Sequence, residues 1–238
     1  MEDINMCGLL PKFSLNQAAY RSILLDFDGT IVPSERVFLQ SWQEVFKTNY
    51  HCIFTESEYI RYELEEDAKL VNYLVINNKL PPDIDIKMLM QDVYDNYTFG
   101  FRDMLDNNDF TKTLDHILQW GNAGIKLGIV STSRRNYIEM FFEKYKNYRS
   151  LFSCIFCRED VKELKPNPMV YLLAANKLRT SPPNCVVIED SLKGIEGATA
   201  AQMKVIRVLK NTFDVDIYTQ GYDIPTVNSI EDIAFTST

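Results

Sequence analysis

The sequence predicts an α/β fold: a doubly wound parallel-sheet core with a small helical domain inserted after its first strand. Three observations carry this reading. Short, near-continuous apolar runs recur along the chain, each closing on polar residues and most followed by a segment of helical period, as expected of strands buried on both faces beneath helices. Residues 34–103 break that alternation and read as helical. The length of 238 residues exceeds one typical domain of about 150 and falls short of two.

Residues 1–21 precede the first run and receive no role. Ser22–Leu25 is the first strand and closes on Asp26-Phe27-Asp28-Gly29-Thr30. The insertion opens with Val37, Phe38, Trp42, Val45 and Phe46 at helical spacing. Thr55-Glu56-Ser57-Glu58 is a capping-box pattern that starts a long helical stretch with an apolar stripe of Leu70, Val71, Leu74 and Val75, ended by Pro81-Pro82. This insertion is expected to sit as a lid over what the first strand's end displays.

The core, residues 22–33, resumes at 104–238. Leu114, Ile117 and Leu118 mark a helix that stops at Gly121 and Gly124. A strand at Lys126–Val130 closes on Ser131-Thr132-Ser133, and Tyr137, Ile138, Phe141, Phe142 and Tyr145 continue as a helix. Leu151–Cys157 reads as a strand, and Met169–Leu178 as a helix entered through Pro166 and Pro168. The strand Cys185–Ile188 closes on Glu189-Asp190-Ser191, and Lys204–Val208 is the last clear strand.

Charge and composition exclude several classes. Lys and Arg number 25 against 33 Asp and Glu, a net charge of −8, which disfavours a nucleic-acid binder. No uncharged apolar run approaches the ~18 residues of a membrane span, and the start Met1-Glu2-Asp3-Ile4-Asn5 lacks a secretory plan. A cytoplasmic monomer is expected. The five Cys are odd in number and scattered, low for a disulfide framework. Cys154 and Cys157, three apart on a strand, point to opposite faces and read as structural thiols. Neither His51 nor His116 sits in a ligand cluster.

The chemistry lies at the strand ends. In open α/β sheets ligands bind outside the carboxyl ends of the strands. A parallel sheet would gather Asp26 and Asp28, Ser131 to Ser133, and Glu189 with Asp190. Carboxylates so crowded repel and call for a cation or a proton. An all-oxygen set of this kind suits Mg²⁺, which keeps waters for a substrate phosphate. A dianionic phosphate also needs a hydroxyl, backbone N–H groups and a lysine. Ser131 offers the first two, and Lys165, fixed in its loop by Pro166, is the candidate cation, with Lys162 as a rival.

These residues resemble the four motifs of the haloacid dehalogenase superfamily. Asp26-Phe27-Asp28-Gly29-Thr30 is similar to the first, strand-end Ser131 to the second, Lys165 before Pro166 to the third, and Glu189-Asp190-Ser191 with Gly194 to the fourth. The similarity covers roughly residues 22–209 and points to the helical-cap subgroup that includes β-phosphoglucomutase and sugar-phosphate phosphatases, built on a Rossmann-like core.

The resemblance implies a Mg²⁺-dependent phosphatase acting on a small phosphorylated metabolite. Asp26 would be the nucleophile that forms an aspartyl-phosphate, and Asp28 the general acid and base. Ser131, Thr132 and Lys165 would hold the phosphoryl oxygens. Metal ligands would be Asp26, Asp28 through its main-chain carbonyl, and Asp190, with Glu189 a ligand or its support. Asp28 marks the branch that handles phosphate esters. Arg134, Arg135 and Arg61 are substrate candidates or surface cations, and Arg102 is a further cation of the cap. The segment Glu63-Leu64-Glu65-Glu66-Asp67 is acidic where some relatives carry a basic specificity loop. A phosphomutase is the alternative activity, and a non-catalytic phospho-ligand sensor a third reading. Pro33 and Phe38 stand where many relatives have Asp and His; the missing His argues against the mutase, and Pro33 stiffens the hinge into the cap. Trp42 and the Phe141-Phe142 pair read as core.

Overall fold

The structure is a computed structural model that describes residues 12–16, 18–64, 67–209 and 224–236. In chain order the first elements are β1 (Phe13–Asn16), β2 (Ser22–Leu25), α1 (Glu35–Asn49), α2 (Glu56–Leu64), α3 (Asp67–Ile76) and α4 (Ile86–Asn107). There follow α5 (Thr111–Asn122), β3 (Lys126–Val130), α6 (Arg135–Lys144), β4 (Phe152–Phe156), α7 (Met169–Lys177) and β5 (Cys185–Glu189). The last are α8 (Leu192–Ala200), β6 (Lys204–Val208), β7 (Thr226–Val227) and β8 (Ile233–Thr236). Among the described residues no helix is long and apolar enough to cross a membrane.

The chain divides into two compact units, one reaching Pro33 and resuming at Phe110, the other Ser34–Asp109. In the first, six parallel strands pair in the order β4-β3-β2-β5-β6-β7. The apolar runs make this possible: Ile23, Leu24, Leu25, Val186, Val187 and Ile188 are all fully buried. A strand alternates faces with period two. Leu24, Val187 and Val205 pack with Val170, Tyr171 and Ala174 of α7 and Ile195 and Ala198 of α8. The intervening residues therefore need cover on the opposite face. Phe27, just past β2, packs edge-on against Phe141 of α6 at 5.4 Å between ring centroids. Full burial of each such aliphatic side chain stabilises by about 1.5–3 kcal/mol. The chain builds β3 and β4 to one side of β2 and then returns to place β5 on the other. That reversal puts a ligand crevice at the carboxyl end of β2.

A separate two-stranded parallel sheet joins β1 to β8, with Leu15 opposite Phe235. It rests on α5: the Trp120 ring meets Phe235 at 5.9 Å, and His116 Nε2 lies 2.8 Å from Ile233 O. Residues 1–21, given no role by the sequence, thus hold one strand of this sheet.

The second unit is helical. α1 packs along α4, and its apolar side meets a cluster of rings in which Trp42 stacks on Phe54 at 5.0 Å. The Thr55 capping box forms as read: Thr55 N donates to Glu58 Oε2 at 2.7 Å and Glu58 N to Thr55 Oγ1 at 3.3 Å. Three details differ from the expectation. The stretch after Thr55 is two helices, α2 and α3. The unit closes at Asp109 rather than 103, because α4 continues unbroken to Asn107. Leu151 and Cys157 fall outside β4, Cys157 capping the short 3₁₀ turn Arg158–Asp160.

Candidate active site

Asp26 is the first residue beyond β2, and its N–H donates to Ile188 O of the neighbouring strand at 2.9 Å. That bond extends the ladder by one residue and holds the carboxylate at the sheet's edge. The chain then turns tightly: Gly29 N donates to Val32 O at 2.7 Å, and Ile31 N and Val32 N return to Phe27 O. Gly29 has φ +76°, and a Cβ built there would lie 1.9 Å from Asp190 Oδ2. Only glycine lets this turn touch the end of β5. Thr30 Oγ1 donates to Asp190 Oδ1 at 3.1 Å. Asp28, half-buried, lies in the same turn, bridged to Val32.

Lys165 reaches the site from the loop before α7, next to a cis Lys165–Pro166 bond. Its Nζ donates to Asp26 Oδ1 at 2.5 Å, to Glu189 Oε1 at 2.6 Å and to Val130 O at 3.0 Å. An ammonium has three donors, and here each has an acceptor. Lys162, the rival cation, is exposed on the surface.

Glu189 is fully buried. Its Oε1 accepts from Lys165 and from Tyr171 OH at 3.3 Å. Its Oε2 accepts from the N–H of Asp190 and of Ser191, both at 2.8 Å, and from Ser191 Oγ at 3.0 Å. A carboxylate offers about four acceptor directions, all of which are taken. Of the two roles open to Glu189 from the sequence, this arrangement favours support over ligation.

Asp26, Glu189 and Asp190 each place a carboxylate oxygen within 4.8 Å of the others. Burial raises the Asp26 carboxyl well above the usual aspartate range against the pull of Lys165, and Glu189 and Asp28 add to the rise. Glu189 moves the other way: burial opposes its charge, but Lys165 and Ser191 hold it below the ordinary glutamate value. Burial also works against Lys165, yet Asp26 and Glu189 keep it firmly protonated. Three carboxylates against one ammonium leave the cluster short of positive charge. With Glu189 spoken for, Asp26 and Asp190 form an all-oxygen pair that fits a hard cation such as Mg²⁺.

Ser131 directly follows β3, which lies beside β2, and is buried, with its Oγ accepting from Ser133 N at 3.0 Å. Thr132 is exposed. Arg134 caps α6, and Arg135 is held by Asp160 through its guanidinium and by Glu159 through its N–H. That pairing turns Arg135 toward the segment after β4. The side chains of Arg61 and of the acidic stretch Glu63–Asp67 lie outside the described residues. Arg102 is exposed on α4 of the helical unit. Tyr171 is the site neighbour that the sequence reading passes over, since its place in an apolar helical stretch gives it the look of core. Its signal is the hydroxyl, which a deeply buried tyrosine must satisfy.

Comparison with known proteins agrees with this geometry. The model of the haloacid dehalogenase-like hydrolase family matches residues 23–208. The chain is 34% identical over 110 residues to a bifunctional riboflavin kinase/FMN phosphatase of Arabidopsis thaliana, spanning 46% of this chain and 28% of that protein. It is 26% identical over 190 residues to the fructose-1-phosphate phosphatase YqaB of Escherichia coli, covering 79% of this chain and 96% of the relative. The crystal structure of CbbY from Rhodobacter sphaeroides in complex with phosphate matches with a TM-score of 0.69 at 22% identity, over 89% of this chain and 95% of that one. At that identity the likeness speaks for the fold. A family model spanning the sheet from β2 to β6, together with the carboxylates gathered at the strand ends, means that the chain belongs to the haloacid dehalogenase-like hydrolases.

Proposed function

We propose that the protein is a Mg²⁺-dependent phosphatase of a small phosphate monoester, working through an aspartyl-phosphate on Asp26. One observation carries this reading: the buried Asp26 carboxylate stands at the crevice end of the central strand, between the Lys165 ammonium at 2.5 Å and Asp190. Asp26 and Asp190 would hold the metal, joined by the main-chain carbonyl of Asp28 as the resemblance implies. When bound, Mg²⁺ supplies the positive charge that keeps Asp26 ionised and offsets phosphoryl charge.

The chain's own groups do the rest. One Asp26 oxygen attacks phosphorus, and the alcohol oxygen departs with the proton of Asp28. Asp28, now a carboxylate, takes a proton from the water that hydrolyses the acyl phosphate. Lys165 and Ser131 hold the phosphoryl oxygens, the largest share of catalysis in phosphoryl transfer. Asp28 lies two residues beyond Asp26 in the same turn and is half-buried.

Phe38 speaks against a mutase. Its ring is surrounded by those of Trp42, Tyr59, Tyr94 and Tyr97, at 5.1–6.5 Å, as suits a packing residue. The relatives support a sugar phosphate or a similar metabolite as substrate.

Phosphate release from p-nitrophenyl phosphate, with and without Mg²⁺, tests the reading. Activity is expected with Mg²⁺ and not after chelation, and Asp26→Asn is expected to abolish it. Wild-type turnover by Asp26→Asn would overturn the assignment.

A further inference from the structure

Tyr171 lies on α7 with no exposed surface. Its hydroxyl is 3.3 Å from Glu189 Oε1 and 3.1 Å from Gly194 O, the latter in the first turn of α8. The face of its ring stands beneath the Lys165 ammonium, with Nζ 5.4 Å from the centroid, within the range of a cation–π attraction. Packing alone would ask only for the ring. A phenylalanine would fill the same volume among Val170, Ala174 and Ile195, yet here a hydroxyl is buried, its single proton shared between Glu189 Oε1 and Gly194 O.

The geometry points to Tyr171 as a positioning residue for Lys165. Glu189 Oε1 is shared by two donors, Lys165 from the crevice and Tyr171 from the core. The tyrosine hydroxyl holds that oxygen from the core side, opposite the lysine. Lys165 then keeps its three donors on Asp26, Glu189 and Val130 O, ready to exchange one for a phosphoryl oxygen. Through Gly194 O the same hydroxyl ties this cation to the helix that follows Asp190. A phenol is a donor at neutral pH. Tyr171 acts on the crevice through Glu189 and Lys165.

This inference rests on the phosphatase reading, and its test separates the two. Tyr171→Phe keeps the ring and removes the hydroxyl. It is expected to lower kcat on p-nitrophenyl phosphate about tenfold. It should weaken inorganic phosphate binding, measured by calorimetry with Mg²⁺ present, by a similar factor, the size of one charge-assisted hydrogen bond. Its melting temperature should stay near that of the wild type. Tyr171→Met, which also removes the ring, is expected to lose more on both readouts, and it serves as the second variant.

A folded Tyr171→Phe or Tyr171→Met protein with wild-type kcat and phosphate affinity overturns the inference and leaves Tyr171 a packing residue. Phosphate binding needs no turnover. A wild type that binds phosphate but hydrolyses nothing sinks the hydrolytic reading alone, and the ratio of affinities still decides Tyr171. A wild type that binds no phosphate overturns both.

Discussion

Two glycines with positive φ show how differently one residue type is used. Gly29 (φ +76°) has Asp190 where a Cβ would go, whereas Gly124 (φ +85°) has nothing within 4 Å of that position. Gly124→Ala is expected to cost about 1 kcal/mol of stability and to leave turnover unchanged. Gly29→Ala carries the same backbone penalty and must also push Asp190 aside. Its Mg²⁺ concentration for half-maximal activity is expected to rise at least about tenfold, and an unchanged Mg²⁺ titration would refute the contact. At this scale the sequence was informative about which polar side chains the sheet gathers at its carboxyl edge, because Asp26, Ser131 and Asp190 sit just past apolar runs. It could not show how they are shared. Whether Glu189 ligates or supports depends on which donors reach its oxygens, and those come from Lys165, Tyr171 and Ser191 in different elements.

Among the elements, α2 has the most explicit local code. Glu58 closes the Thr55 capping box and is also paired with Lys79 Nζ at 2.6 Å, while Lys79 donates to Ile53 O at 2.8 Å. Burial works against the Glu58 charge, but the hydrogen bonds from Lys79 and Thr55 outweigh it and hold its pKa below 4.5. A depressed carboxylate stabilises the fold above its unfolded value, and that stability is lost as pH falls through the folded one. Glu58→Ala is therefore expected to cost about 1–2 kcal/mol at pH 7. Urea unfolding should show the gap closing as pH drops below about 4.5. The capping box was legible because its signals lie three residues apart. The longest helix, α4, was not isolated: its Asp85 cap, which accepts from Lys87 N and Met88 N, lacks the reciprocal glutamate or glutamine that completes the pattern.

For the whole molecule, the recurring apolar runs made the parallel main sheet and its strands β2 to β6 legible, whereas their spatial order and the two-residue β7 come from the pairing itself. The β1–β8 sheet was not legible in this way. Each of its strands has four residues, and Phe13 meets Ile233 across nearly the full length of the chain, a pairing that no local pattern encodes. Ile233 is fully buried beneath it. Ile233→Ala is expected to lower stability by about 2–5 kcal/mol, and a loss under about 0.5 kcal/mol in chemical denaturation would show this clasp to be ornamental.

The place of β5 also bears on how the enzyme is made. Ribosomes release a protein from its amino end, so β2 emerges with Asp26 long before β5 exists to cover its other flank. Until residue 190 has left the exit tunnel, Asp26 lacks the Asp190 carboxylate that stands beside it in the fold. On a half-made chain the metal pair proposed here is therefore incomplete, and β2 presents an unpaired edge until β5 is made.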